Sequence, residues 1–178
     1  MKTLALTAFA FTPWVASVVA VPKDSRLLQD PFDSNCTSIK EVICDSVYPT
    51  DVFCDALEIA GIDDELGRGE IWTVFAPTND AFDDVPDVVA ELLMDDDDRE
   101  LMNILGLHVF PGVALNSTDL QCDGKLLMIN EEYTVTICEG DRMYQMGPGN
   151  LVTDYPEIIV KDIKACNGMV HLISDVML

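Results

Sequence analysis

The sequence has few positively charged residues. Lys and Arg together number 10, against 32 Asp and Glu, and the formal net charge at pH 7 is −22. Nucleic-acid phosphates and anionic membrane surfaces are both bound through clusters of Lys and Arg. The composition therefore argues against both as partners. Hydrophobic residues still make up 49% of the 178 residues, which is enough for one globular domain and too many for a disordered acidic chain.

The sequence also lacks the common catalytic motifs. Histidine occurs only twice, as His108 and His171, so few side chains could act as a general base near neutral pH. There is no GxSxG, HExxH, P-loop or dinucleotide-binding pattern, and scattered carboxylates form pairs by chance. We therefore expect a protein that is not an enzyme and binds no cofactor. The alternative is a small secreted hydrolase or ligand-binding protein that uses an acidic cleft.

Only one long apolar run occurs, at residues 4–19, directly after Lys2. A positive residue, an apolar run and a small residue such as Ala20 are typical of a secretory signal peptide and its cleavage site. A membrane anchor is less favoured, because the run is short and Pro13 interrupts it. The sequence therefore predicts an exported protein.

This interpretation divides the chain into three parts. We expect a signal peptide at residues 1–20, a polar tether at 21–34 and a folded domain at 35–178. The sequence ends without the hydrophobic tail that a lipid-anchor signal requires. The mature chain is therefore expected outside the cell, at the cell surface or in the matrix, with no segment inserted in a membrane.

The six cysteines include no CxxC pair, which makes a zinc site the weaker interpretation. Export favours three disulfides, although six cysteines allow fifteen connectivities in principle. Three pairs are predicted, for different reasons. One spans a predicted hairpin over a short distance in sequence, one could link the first two predicted helices, and one remains by elimination. The predicted pairs are Cys122–Cys138, Cys44–Cys54 and Cys36–Cys166.

Two sites fit the N-glycosylation acceptor pattern, Asn35-Cys36-Thr37 and Asn116-Ser117-Thr118. Such acceptors lie on the surface of an exported protein. Asn116 is the better candidate because it lies in a predicted loop, whereas a disulfide at Cys36 could compete with modification of Asn35.

A run of four aspartates, Asp95 to Asp98, is the strongest candidate for a cation site. An EF-hand loop needs alternating ligands, a glycine at its sixth position and a glutamate at its twelfth, and the sixth position here is Glu100. The run is better explained as the acidic start of a helix, with Asp97 as the N-cap and Glu100 three residues later. We predict no structural metal site, and a weak association with calcium remains open.

Helical patterns dominate the first half of the chain. Ser38 and Glu41 form a capping box before one amphipathic segment, and a second helix follows Pro49-Thr50 and ends at Gly61. A further helix is predicted to place Leu101, Ile104, Leu105 and His108 on one face.

Strand patterns dominate from residue 120 onward. Residues 133–138 alternate with a period of two, pair with residues 126–129 in a hairpin, and present two chemically different faces. One face consists of Tyr133, Val135 and Ile137, the other of Thr134, Thr136 and Cys138. Asn167-Gly168 predicts a second hairpin near the end of the chain. Helices first and strands later indicate an α+β fold with a separate sheet region.

The segment at residues 71–82 is predicted to organise the fold. Residues 71–75 are β-branched or aromatic without alternation, which is typical of a strand buried on both faces. Pro77 is expected to end this strand, since it cannot donate to a ladder. Thr78 is then expected to cap a short helix, its hydroxyl accepting the amide of Asp80 or Ala81.

Three segments resemble the fasciclin (FAS1) domain family, in the family's order. They are TVFAPTNDAF at residues 73–82, ILGLHVFPG at 104–112 and CNGMVHLISDVML at 166–178. The resemblance implies a β-sandwich-like wedge of about seven strands flanked by several helices, mostly N-terminal, with the strands mostly C-terminal. It covers residues 35–178.

The resemblance also implies a function. It is typical of a secreted, non-enzymatic cell-adhesion or extracellular-matrix module that binds a cell-surface protein or polysaccharide. Family members often carry Tyr-His in a segment implicated in adhesion, and the corresponding residues here are Leu107, His108 and Val109. The other interpretation of His108 is structural, as an imidazole that hydrogen-bonds Asp80 or Asn79, and we favour this one because Leu107 replaces the tyrosine.

Overall fold

The computed structural model of the protein describes residues 36–67, 69–83, 85, 98–151 and 155–178. The predicted signal peptide, the predicted tether, Asn35 and the aspartates at 95–97 lie outside the described residues, as does the side chain of Asp98.

Four α-helices lie among the described residues. Ser38 caps the first through the predicted capping box, in which its hydroxyl accepts the Glu41 amide and the Glu41 carboxylate accepts the Ser38 amide. The second ends at Gly61, which has the left-handed conformation expected of a C-cap. The helices are α1 (Ile39–Cys44), α2 (Asp51–Ala60), α3 (Asp63–Leu66) and α4 (Asp98–Gly106).

The described residues also form seven strands in two sheets. The larger sheet has the order β2-β1-β7-β6, and the smaller sheet has the order β3-β4-β5. The strands are β1 (Trp72–Pro77), β2 (Val109–Pro111), β3 (Lys125–Leu127), β4 (Tyr133–Glu139), β5 (Arg142–Met146), β6 (Ile158–Ala165) and β7 (Gly168–Ile173). The predicted α+β class, with helices mostly first and strands mostly later, is confirmed.

Strand β1 lies inside the larger sheet. It pairs antiparallel with β2 and parallel with β7, and all six of its residues are buried. Burial on both faces explains why the sequence does not alternate here. The strand ends at Pro77 as expected, where the missing amide removes only a terminal ladder bond.

A 3-10 helix, Asn79–Phe82, follows β1 directly. The predicted cap was wrong in its atoms, because the Thr78 side chain makes no capping bond. The amide of Ala81 donates instead to the backbone carbonyl of Thr78, at 3.0 Å. This backbone bond between residues i and i+3 is the one that defines a 3-10 helix.

The turn between β6 and β7 requires glycine. Gly168 has a φ of +150°, and a Cβ at this position would lie 1.9 Å from the carbonyl oxygen of Trp72. The absence of a side chain therefore lets β7 approach β1 closely. The hairpin predicted at Asn167-Gly168 is present, but its two connecting residues are Cys166 and Asn167, because Gly168 already pairs with Ala165 as the first residue of β7.

Apolar side chains of the described residues form two clusters. The first lies between the helices and the larger sheet and includes Phe53, Leu57 and Val74. The second contains Phe75 and Ile173 from the larger sheet, and partly buried side chains of the smaller sheet pack against it. Met177, the second-last residue of the sequence, also belongs to this second cluster.

The six cysteines form three disulfides, and these are the three predicted pairs. Cys36–Cys166 joins the start of the described chain to the β6–β7 turn, with 5.5 Å between the Cα atoms. Cys44–Cys54 joins α1 to α2, and Cys122–Cys138 closes the region around β3 and β4.

Removing the Cys122–Cys138 disulfide with the double variant Cys122→Ser/Cys138→Ser should lower the free energy of unfolding by about 3 kcal/mol. The chain-entropy estimate for a loop with a sequence separation of 16 gives this value. Urea titration under non-reducing conditions measures it. Peptide mapping of the unreduced native chain is the accompanying control, and Cys122 found free or linked to another cysteine would contradict the assignment.

Candidate functional site

The segment singled out for adhesion lies in the core. Leu107 is 3% exposed, and His108 and Val109 are fully buried. The segment leaves the end of α4 and enters β2, next to the central strand β1. In this conformation, none of the three side chains is presented to a partner.

His108 bonds to two backbone groups. Its Nδ1 lies 2.8 Å from the carbonyl oxygen of Ile104, and its Nε2 accepts the amide of Met177 at 3.0 Å. The ring also lies against Phe53, with 5.6 Å between ring centroids. His108 therefore joins the end of α4 to the C-terminal segment.

The predicted partners of His108 were wrong. The Asn79 side chain is used at the start of α2, where it accepts the amide of Val52 at 3.1 Å and donates to the Asp51 carboxylate at 3.0 Å. The first amides of a helix have no partner within it, and Thr50 makes no side-chain cap. The Asn79 side chain therefore caps the start of α2 from a distant part of the sequence, and it is not available to His108.

The hydrogen bonds determine the protonation state of His108. Because Nε2 accepts an amide N–H, it carries no proton, and the proton on Nδ1 is donated to the carbonyl of Ile104. Burial lowers the pKa of His108 to about 4, although its bond to Ile104 acts in the opposite direction. The ring is therefore neutral at pH 7.

His171 also bonds to backbone groups through both ring nitrogens, but it has the opposite tautomer. Its Nδ1 accepts the amide of Asp162 at 3.2 Å, and its Nε2 donates to the carbonyl of Leu115 at 2.9 Å. Burial lowers the pKa of His171, and its ring stacks on Phe75 with 5.4 Å between centroids. This histidine links the loop before residue 116 to β6 and β7.

Ser117, Asp162 and His171 lie close together without forming a catalytic triad. The Asp162 carboxylate accepts both the amide and the hydroxyl of Ser117, at 2.6 and 2.7 Å. In a triad the histidine takes the serine proton and the aspartate orients the histidine. Here the aspartate binds the serine directly and His171 donates to the Leu115 carbonyl, so the arrangement fastens a loop and activates no nucleophile.

The acceptor asparagine at 116 lies in this fastened loop. Its side-chain amide donates to the Asp119 carboxylate at 3.1 Å, and Asn116 is partly exposed while Thr118 is exposed. Glycosylation of Asn116 remains a prediction.

A groove of about 380 Å³ lies between the end of α2, the start of α3, α4 and the β3–β4 turn. Its charged lining residues are Glu65 and Arg99, beside Met102, Asn103 and Asn130. A glycosidase-type site needs two carboxylates, and among the described side chains Glu65 is the only carboxylate that lines this groove. Neither histidine lines it.

Within the described ranges, one group of side chains has the spacing of metal ligands: Cys44, Cys54 and Glu58. The two sulfur atoms are bonded to each other, so they are not thiolates and cannot bind a metal as thiolates do. The same ranges contain no helix long and apolar enough to span a membrane.

Sequence reasoning missed the outer face of the smaller sheet. Register pairs Tyr133 with Leu127, Val135 with Met146, and Ile137 with Tyr144, so these side chains share one face. We call this set of six the outer face: Leu127, Tyr133, Val135, Ile137, Tyr144 and Met146. The alternation at 133–138 was the signal for it, but alternation does not say which face points inward.

Three buried polar side chains lie at the centre of the opposite, inner face of this sheet. Thr134 and Gln145 are 0% exposed and Thr136 is 1% exposed. They bond to one another, because the Thr136 hydroxyl donates to the Gln145 carbonyl oxygen at 2.8 Å and the Gln145 amide donates to Thr134 at 2.7 Å. Mutual hydrogen bonds offset the cost of burying these groups, so the polar side chains of β4 lie inside while its apolar side chains lie on the outer face.

The fasciclin domain model matches residues 49–178. The chain is 29% identical to Protein sll1483 of Synechocystis over 98% of this chain and 92% of that protein. It is 32% identical to transforming growth factor-beta-induced protein ig-h3 of Sus scrofa over 68% of this chain, but it spans only 16% of that longer protein. Human periostin is 30% identical over 64% of this chain, which spans 12% of periostin.

A solved structure shows the same fold. The FAS1 domain pair of the insect cell adhesion molecule Fasciclin I superposes with a TM-score of 0.67 at 17% identity, over 80% of this chain and 51% of that one. The family match covers most of the folded part described above, including β1, the segment of His108 and the final strand. The chain therefore belongs to the fasciclin domain family.

Proposed function

We propose that this protein is a secreted, non-enzymatic adhesion or extracellular-matrix module that binds a cell-surface protein or polysaccharide. The observation that carries the proposal is the position of the three fasciclin segments. They form the buried strand β1, the buried segment at His108 and the buried strand β7. These segments build a rigid core, so recognition is left to the outer surface.

The state of the two histidines supports the non-enzymatic part of the proposal. Each is fully buried and bonds through both ring nitrogens to backbone groups. A general base must be able to reach a substrate proton. Neither histidine can do so in this conformation.

Three disulfides in a chain of this size support export, because such bonds persist in oxidising compartments. Membership of the fasciclin family and the fold shared with an insect cell adhesion molecule support the adhesion part.

A binding experiment with the intact, secreted chain tests this function. The purified protein is coated on a surface, and attachment of cells and binding of matrix proteins and neutral polysaccharides are measured. We expect saturable binding to at least one of these that excess soluble chain competes away. The reduced and alkylated chain is the matched control, because it keeps the composition and the net charge but loses the fold. A chain that binds none of them, yet turns over a small ester or glycoside, would contradict the proposal.

A further inference from the structure

We propose that the outer face of the smaller sheet is the docking surface for a basic, partly apolar segment of another protein. The inference rests on the proposed function and deepens it, because it names the surface and the chemistry of the partner. It follows from three observations: the apolar character of the face, the acidic residues at both of its ends, and the net charge of the chain.

The outer face is not part of the core. None of its six residues belongs to either apolar cluster, whereas Leu126 and Met143 of the same sheet pack against the second cluster from the inner side. Tyr133 is 54% exposed and its register partner Leu127 is 45% exposed. The other four residues are partly exposed, and the Tyr144 ring lies 6.1 Å from that of Tyr155 between centroids. Single exposed apolar residues are common, but a contiguous apolar set that reaches solvent across three neighbouring strands favours an interaction surface.

Acidic residues lie at both ends of this face. Glu131 and Glu132 form the β3–β4 turn, and Glu139 and Asp141 flank the β4–β5 turn; all four are exposed. The two ends of β4 lie about 20 Å apart, at the usual rise per strand residue. The surface is therefore an apolar strip with carboxylates beyond each end.

Three cations lie on the face or at its ends: Lys125, Arg142 and Lys161, whose Nζ lies 3.5 Å from the carbonyl oxygen of Asp141. Lys125 pairs in register with Val135, and Arg142 pairs with Glu139. Arg142 already lies 3.8 Å from the Glu157 carboxylate. A partner approaching along the strip thus meets apolar side chains in the middle and an excess of carboxylates at the ends.

Charge decides between the available partners. The net charge of −22 repels a second copy of this chain and anionic polysaccharides, and it attracts cationic partners over long distances. A neutral polysaccharide could stack on Tyr133 and Tyr144 but would gain nothing from the acidic ends. A segment with apolar residues between Lys or Arg residues complements both features.

The test uses the full mature chain and a synthetic peptide with two lysines at each end and alternating valine and threonine between them. Binding is measured by fluorescence anisotropy at low and physiological salt. We expect saturable binding that weakens with salt. A peptide with glutamates in place of the lysines should not bind.

Variants separate local contact from general attraction. Leu127→Ser/Tyr133→Ser should weaken binding about tenfold or more, as expected for removal of central apolar contacts. The matched control, Val47→Ser/Ile59→Ser, removes two exposed apolar residues from the helical side, at 96% and 59% exposure, and should leave binding unchanged. Melting curves show that each variant is folded.

A second pair of variants tests the acidic ends. Glu131→Gln/Glu132→Gln should weaken binding several-fold, whereas Asp45→Asn/Asp55→Asn, with the same change in net charge at exposed positions of the helical region, should have a much smaller effect. The inference would be overturned if the Glu131/Glu132 variant and its Asp45/Asp55 control weakened binding equally. It would also be overturned if the Leu127/Tyr133 variant and its Val47/Ile59 control had equal effects. Binding of a neutral β-glucan in place of the peptide, or dimerisation through this face in sedimentation experiments, would overturn it as well. If Leu127→Ser/Tyr133→Ser leaves attachment to cells intact, the proposed function stands and the docking surface is wrong.

Discussion

Replacing Phe75 with alanine is expected to lower the free energy of unfolding by about 3–5 kcal/mol, the usual cost of removing a fully buried aromatic side chain. Phe75 is 0% exposed, lies in the doubly paired strand β1, and stacks on His171. The second apolar cluster closes around it with side chains from both sheets. The neighbours are held by two ladders and cannot collapse into the space, so a cavity remains. Urea titration monitored by circular dichroism measures the loss.

Two other variants control this result. Phe75→Leu keeps most of the volume and should cost less than the alanine change. Tyr133→Ala removes a comparable ring from the exposed side of the fold and should change stability by about 0.5 kcal/mol or less. A loss below about 1 kcal/mol for Phe75→Ala would contradict the central position of this cluster. Cell attachment by Phe75→Ala should fall only in proportion to the unfolded fraction.

Much of the fold could be predicted because local chemistry determined it. The run of β-branched and aromatic residues before Pro77 indicated a strand buried on both faces, and the structure pairs β1 on both sides. Ser38 with Glu41, and Gly61, fixed helix ends through atoms that lie within one turn. Asn167-Gly168 marked its hairpin for the same reason. Each of these signals acts over a few residues, so sequence alone carries it.

What could not be predicted depends on contacts between distant segments. His108 bonds to Met177, which lies 69 residues away, and Asn79 caps α2 from 27 residues away. Both are polar groups satisfied by whichever backbone atom the fold brings near. The sequence indicated a buried histidine but held no local signal for its partners.

The smaller sheet shows a different limit. Its alternation was visible, but the usual expectation that apolar residues face inward fails for β4, because Thr134, Thr136 and Gln145 satisfy one another in the interior. Cross-strand hydrogen bonds of this kind need the register between β4 and β5, which appears only in the folded sheet. The candidate site at Leu107, His108 and Val109 came from the family resemblance and lies in the core, whereas the sequence did not show that the apolar face of β4 points outward.

Replacing His108 with alanine should lower the free energy of unfolding at pH 7 by about 3–5 kcal/mol. The change opens a cavity in a fully buried position and leaves the amide of Met177 without its partner. A histidine that contacted an adhesion partner would instead leave stability nearly unchanged while attachment fell. Urea titrations of both proteins, alongside attachment measurements, separate the two roles.

The stability difference between the original protein and the His108→Ala variant should depend on pH, because the buried ring of His108 is neutral. The pKa of His108 is about 4 in the folded protein, against 6.5 for an unperturbed histidine. The unfolded chain therefore binds more protons between these values, so stability falls as the pH falls. His108 alone should account for about 3 kcal/mol of this loss between pH 7 and pH 4.

The alanine variant lacks this contribution, so the stability difference between the two proteins should be largest at pH 7 and should shrink by about 3 kcal/mol toward pH 4. His171 has its pKa lowered by burial as well, but it is present in both proteins and cancels in the difference. The same holds for Asp63, whose pKa is lowered mainly by its hydrogen bond from Lys40. A difference that stays constant from pH 7 to pH 4 would show that His108 is not held neutral by burial. If the His108→Ala variant lost attachment while its urea midpoint stayed unchanged, His108 would be an adhesion contact and not a structural residue.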